Sequence, residues 1–137
     1  MQSIRFRVDL NESCSIGPGK IELLEAVART GSIRQAARAI KMSYRQAWLL
    51  VDSLNRSFTE PSTTSSVGGA GGGGVELTAF GADLVRRYRL AGRRIETLAR
   101  SEFAALAQKA VAPTAAKPAK PRRRLPKTAN GSRRRDV

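Results

Sequence analysis

Alternation and helical periodicity between them account for most of residues 4–108. Ile4-Arg5-Phe6-Arg7-Val8-Asp9-Leu10 alternates strictly, with Ile4, Phe6, Val8 and Leu10 on one side. That pattern predicts a half-buried strand, followed by a loop from Asn11 to Ser15. Pro18 suits the first turn of a helix, where its missing N–H has no partner to lose. Ile21, Leu24, Ala28 and in part Val27 give that helix an apolar face through Arg29. Gly31 ends it at the position where a left-handed backbone costs least.

The next stretch, residues 31–54, organises the chain. Ser32 is placed to cap a second helix through its hydroxyl, and Ile33, Ala36, Ala37 and Ile40 recur at i, i+3, i+4 and i+7. The Ala36-Ala37 pair lets another helix cross closely. Lys41-Met42 reads as a turn and Ser43 as the cap of a third helix. On that helix Ala47, Leu50, Val51, Leu54 and Phe58 share one side; Arg45, Leu49, Asp52 and Arg56 share the other. A short capped helix, a tight turn and a helix with a polar, basic first turn form the helix-turn-helix pattern. Its second helix would lie in the DNA major groove with its first residues at base edges. The periodicity by itself also fits an ordinary helix corner in a small bundle.

From Thr59 to Val67 the chain is rich in Thr, Ser and Val; seven residues, Gly68 to Gly74, contain six glycines; Val75-Glu76-Leu77-Thr78 then alternates. These segments predict a hairpin, or wing, whose first strand Pro61 makes an edge strand or a late starter. Its glycine-rich tip could approach a phosphate backbone closely, or serve only as a flexible linker. No Lys-Ser or Lys-Thr follows the glycines, which argues against a nucleotide-phosphate loop. Thr78 can cap a last helix, from about Ala79 to about Gln108. Leu84, Tyr88, Ala91, Ile95, Leu98, Glu102 and Ala105 there fall at spacings of four and three, as in a coiled-coil seam. Pairing with a second copy through Leu84, Tyr88, Ala91, Ile95 and Leu98 is the expectation. The alternative is a helix folded back on its own domain, which could bury its N-terminal half. Glu102 interrupts the seam.

Charge sharpens the partner class. The 137-residue chain carries a formal charge of +14 and has no histidine. Residues 1–110 hold 16 Lys/Arg against 10 Asp/Glu, and residues 111–137 hold 9 against 1. Four of the six prolines lie in that last segment, so it reads as a disordered basic arm, or as a solvated tail that only aids solubility. Nucleic acid is the natural partner, because neutralising phosphates releases condensed counterions; an anionic membrane surface is the competing explanation. Cys14 is the only cysteine, so no intrachain disulfide can form. With no histidine, Cys14 lacks the partner of a nucleophilic pair, and zinc lacks its usual ligands. No metal site, cofactor or enzymatic activity is expected. The absence of a signal-like or membrane-spanning run suggests a cytoplasmic protein.

Ile16-Gly17-Pro18-Gly19-Lys20, Gly31-Ser32-Ile33, Ala36-Ala37, Met42-Ser43-Tyr44-Arg45, Ala47-Trp48, Val51-Asp52, the glycine-rich wing and Leu77-Thr78 with Gly81 resemble one family. It is the N-terminal DNA-binding domain of ModE-type molybdate-responsive regulators, matched over roughly residues 3–107. LysR-type regulators share only the Gly-Ser-Ile-x-x-Ala-Ala opening. The resemblance implies a mainly α fold with a small β-wing: a winged helix-turn-helix plus a long C-terminal dimerisation helix, acting on a palindromic operator. The expected division is a winged domain at 1–78, the dimerisation helix at 79–108 and a disordered basic tail at 109–137. Full-length members carry oxyanion-binding domains, and here a basic tail stands in that place, so molybdate sensing is not expected to carry over and no small-molecule effector is evident.

The expected role is a dimeric, sequence-specific regulator of transcription bound to double-stranded DNA. Ser32, Arg34 and Gln35 would hold phosphates, and Gly71, Gly72 and Gly73 would approach the backbone beside the groove. Ser43, Tyr44, Arg45 and Gln46 would read bases, with Arg45 suited to guanine and Gln46 to adenine. Tyr44 could instead pack inward, and Trp48 is expected to support the fold or the wing. A non-specific architectural DNA-binding protein is the alternative, favoured by the tail.

Overall fold

The structure, a computed structural model, describes residues 3–66 and 74–113. Its described part is mostly helical, with two small antiparallel sheets. The order is β1 (Val8–Asn11), β2 (Cys14–Ile16), α1 (Pro18–Thr30), α2 (Ile33–Ala39), α3 (Tyr44–Ser57), β3 (Thr63–Ser66), β4 (Gly74–Leu77) and α4 (Ala79–Lys109). Strand β1 pairs with β2, and β3 with β4. No helix among the described residues is long and apolar enough to cross a membrane.

Helix α1 is the centre of the packing. Leu23, Ala26 and Val27 face α2 and α3, where they meet Ala36, Ala37, Ala47 and Val51. Ile21 and Leu24 face the other way, toward Ile16, Leu54 and the α4 residues Leu84 and Tyr88. A single apolar stripe is the pattern of a helix packed on one side; α1 is packed on two. That is why Leu23 and Ala26, absent from the expected face, are fully buried, whereas Ala28, expected on it, is exposed. Gly31 closes α1 with φ 71°, its N–H bonded to the Val27 carbonyl at 2.8 Å.

The N-terminal segment departs from the sequence reading. The chain reverses at Asn11, whose Oδ1 accepts the Ser13 N–H at 2.9 Å. Residues expected as loop therefore return as β2, with Val8 opposite Ile16. The expected strand at Ile4–Leu10 is regular only from Val8, and β1 is exposed throughout because the described chain lays nothing over Val8 and Leu10. Before it, the Phe6 ring stacks on Tyr88 at 4.3 Å between centroids, and the Tyr88 hydroxyl donates to the Phe6 carbonyl at 2.7 Å. Burial raises the Tyr88 pKa above its ordinary value.

Thr78 joins the second hairpin to α4. Its hydroxyl accepts the Gly81 N–H at 3.0 Å and donates to the Pro61 carbonyl at 2.6 Å, and its own N–H bonds the Ser62 carbonyl at 3.0 Å. The first turn of α4 thus lies flat on the Pro61–Ser62 backbone. A Cβ on Gly81 would overlap the Ser62 carbonyl oxygen. Gly81→Ala should therefore lower the free energy of unfolding by about 1–3 kcal/mol. Urea titration at matched protein concentration measures it, and an unchanged midpoint would show that α4 tolerates being lifted from this contact.

Candidate nucleic-acid interface

Two capped helix starts form the exposed corner of the fold. The Ser32 hydroxyl accepts the Gln35 N–H at 3.2 Å and the Ser43 hydroxyl accepts the Gln46 N–H at 3.1 Å. Each satisfies a backbone donor that the helix geometry leaves without a partner. Between them α2 stops abruptly. Lys41 adopts φ 57°, and the Met42 and Lys41 N–H groups bond the Ala37 and Arg38 carbonyls at 2.9 and 3.3 Å. This is the bonding of a Schellman stop, with a lysine where glycine is the inexpensive choice. Ala36, Ala37 and Ala47 meet in the elbow with almost no exposure, so α3 crosses α2 at close range.

The corner has an unusual electrostatic composition. Residues 31–51 contain four Lys/Arg and no Asp or Glu. Elsewhere six arginines are matched: Arg7 with Asp9, Arg56 with Asp52, Arg86 and Arg87 with Asp83, Arg89 with Glu25, Arg100 with Glu96; Arg5, Arg29, Arg93 and Arg94 belong to none of the described ion pairs. Hydrogen bonds from Arg87 and then Arg86 hold the Asp83 carboxyl below its usual range. None of the described ion pairs includes Arg34, Arg38, Lys41 or Arg45, and all four side chains are exposed. Arg38 and Lys41 extend the set chosen from sequence. The signal for them was the acid-free window itself, which picking residues by helix position passes over.

Sequence position alone gives Arg34 a task at phosphates and Tyr44 one at bases. The structure brings them together: the Arg34 guanidinium lies 4.6 Å from the centroid of the Tyr44 ring, within the range of a cation–π contact. Tyr44 does not pack inward; it is 47% exposed. Ser43, Arg45 and Gln46 are exposed beside it, as are Arg34 and Gln35, with Ser32 half-buried. Gly71, Gly72 and Gly73 lie outside the described residues, as does the chain from 114 onward.

Trp48 is 48% exposed and borders a shallow depression between α3 and the β3–β4 hairpin. That hairpin is anchored twice. The Val75 N–H bonds the Gly31 carbonyl at 2.9 Å. Asn55 on α3 accepts the Ser62 and Thr63 N–H groups at 2.9 and 3.3 Å and donates to the Thr63 hydroxyl at 3.0 Å. Asn55 was missed from sequence, because a polar residue inside an amphipathic helix carries no sign of a partner eight residues on.

Over 85 residues the chain is 38% identical to the molybdenum transport protein ModE of Azotobacter vinelandii, covering 62% of this chain and 32% of that protein. It is 33% identical over 93 residues to the transcriptional regulator ModE of Haemophilus influenzae, covering 68% and 36%. The chain is a homologue of the ModE regulators. The DNA-binding transcriptional dual regulator ModE of Escherichia coli is 33% identical over 87 residues, covering 64% of this chain and 33% of its own length. The chain thus spans about a third of the length of the ModE proteins it matches. No protein-family model matches it.

In this ModE homologue the hairpin should depend on Asn55. Asn55→Ala strands two backbone N–H groups and should cost about 1–3 kcal/mol of stability, read by urea unfolding. Hydrogen exchange at Ser62 and Thr63 should accelerate with it; unchanged protection there would mean that the strand is held by its β4 partner alone.

Proposed function

We propose that this chain is a sequence-reading DNA-binding regulator of transcription, acting as a dimer and built as a winged helix-turn-helix. In this reading residues 1–78 are the winged domain, 79–108 the dimerisation helix and 109–137 a basic tail. The observation that carries the proposal is the acid-free corner: Arg34, Arg38, Lys41 and Arg45 exposed and unmatched by carboxylates around two capped helix starts. What sets these four apart is that no acidic residue lies in the 31–51 window that carries them, so they form one continuous cationic surface. The printed role of the Escherichia coli relative as a DNA-binding transcriptional regulator supports the same reading, and a regulator's role is not an enzyme's.

The roles follow from placement. Helix α3 enters the major groove, with Ser43, Arg45 and Gln46 in its first turn at base edges. Ser32, Arg34, Gln35, Arg38 and Lys41 hold the phosphates flanking it, with Gly71, Gly72 and Gly73 at the backbone beside the groove. Tyr44 holds the Arg34 guanidinium in place. Arg45→Ala should then relax sequence preference by about 1–3 kcal/mol, measured by competition between the selected site and random duplex; equal losses on both would remove Arg45 from base reading. Tyr44→Phe should bind as the native protein does, because the ring face is retained. Tyr44→Ala and Arg34→Ala should each weaken binding by about 0.5–1 kcal/mol, and the double variant by no more than the worse single. A loss in Tyr44→Phe equal to that of Tyr44→Ala would transfer the role to the hydroxyl.

The balance of 9 Lys/Arg against 1 Asp/Glu in residues 111–137 favours a second reading, a non-specific architectural protein in which the tail does the binding. Selection of bound duplexes from a random pool at near-physiological salt separates the two. A two-fold-related motif supports the regulator; tight binding with no motif supports the architectural protein.

A further inference from the structure

The solvent side of α3 carries two large apolar side chains to which the roles above give no task. Trp48 and Leu49 are both about half exposed. Exposed apolar residues scattered singly are ordinary on a protein surface; these two are adjacent. Neither belongs to the two core clusters, although the next residue, Leu50, packs against the first of them. Trp48 and Leu49 follow Tyr44 and Arg45 by four residues, so each continues the stripe that its predecessor starts. They lie inside the acid-free window that holds Arg34, Arg38, Lys41 and Arg45. The window ends at Asp52, which is paired with Arg56. Charge therefore decides what covers the pair. A duplex supplies anionic phosphates at the rim of its major groove and, on the base edges within, one apolar group: the 5-methyl of thymine.

We propose that Leu49 and Trp48 read that methyl group, Leu49 by contact in the groove and Trp48 by shielding the contact from water. This rests on the DNA-binding reading above and adds a base to it. Leu49 stands one turn beyond Arg45, about 6 Å along the helix axis, which is about two base-pair steps in the groove. The site therefore holds a thymine about two base pairs from the guanine that Arg45 reads. Discrimination against cytosine follows from the same side chains. Cytosine presents an amino donor there and no methyl. Leucine accepts no hydrogen bond and the indole N–H is a donor only, so the cytosine amino group would be covered without a partner, at a cost in binding. The one carboxylate nearby on α3, Asp52, is committed to Arg56.

The test uses the full chain and the duplex selected from the random pool. Each thymine of that site is replaced in turn by deoxyuridine, which exchanges only the methyl for hydrogen. At one thymine per half-site, placed as above from the base that Arg45→Ala ceases to distinguish, the replacement should weaken binding about fourfold, the weight of one buried methyl group. Leu49→Ala should bind the thymine and deoxyuridine sites equally, both at the weakened level, and Leu49→Met should restore the difference. Trp48 is the only tryptophan of the chain, so its emission reports on the contact directly. It should shift to shorter wavelength on the selected site, and less on the deoxyuridine site; an emission that is the same on both would remove Trp48 from the contact. Deoxyuridine without effect at every position, on a site still preferred over random duplex, would overturn the proposal and leave the DNA-binding reading standing. So would a methyl effect that Leu49→Ala leaves undiminished. Selection that yields no preferred sequence would overturn both.

Discussion

The architecture depends on α1 being buried from two directions. Its Leu23 side holds α2 and α3, and its Ile21 side holds α4 and β2. Burial of apolar surface is the main favourable term in folding, and here a thirteen-residue helix supplies it to both halves. The corner that faces solvent and the long helix that leaves the domain are thereby fixed relative to each other through one element. The partly buried Leu77 packs against both clusters and adds a second tie between them.

Electrostatics then divides the surface in two. On α4, Arg86, Arg87, Arg89 and Arg100 are met by Asp83, Glu25 and Glu96, while Arg93 and Arg94 belong to none of the described ion pairs. On α2 and the start of α3 the cations meet no carboxylate. Exposed ion pairs contribute little stability. The pairing on α4 therefore adds little to stability, and the corner loses little by going without it.

Local features were legible in the sequence and remote ones were not. The caps at Ser32, Ser43 and Thr78, the left-handed Gly31, the Lys41-Met42 turn and the late start of β3 after Pro61 all rest on chemistry within a few residues, and each appears as expected. The two-sided burial of α1 was invisible, because a helical period identifies a face but not how many neighbours will cover the helix. The return of residues 14–16 as a strand was missed for a related reason: three residues are too few to show alternation. At the candidate interface, the exposed residues of α2 and α3 were found by position. The Arg34–Tyr44 contact was not, since it joins the starts of two helices across a turn whose shape only the structure supplies. The role of Asn55 depends on contacts between separate segments, and periodicity carries no trace of those.

The bond from Val75 to the Gly31 carbonyl has a mechanical meaning. It fastens the base of the second hairpin to the residue that ends α1 and precedes α2, while Asn55 fastens the opposite strand to α3. The described part of the hairpin therefore cannot slide along the helices without breaking one of these bonds, so the Gly31 turn, α3 and the two strands move as one piece.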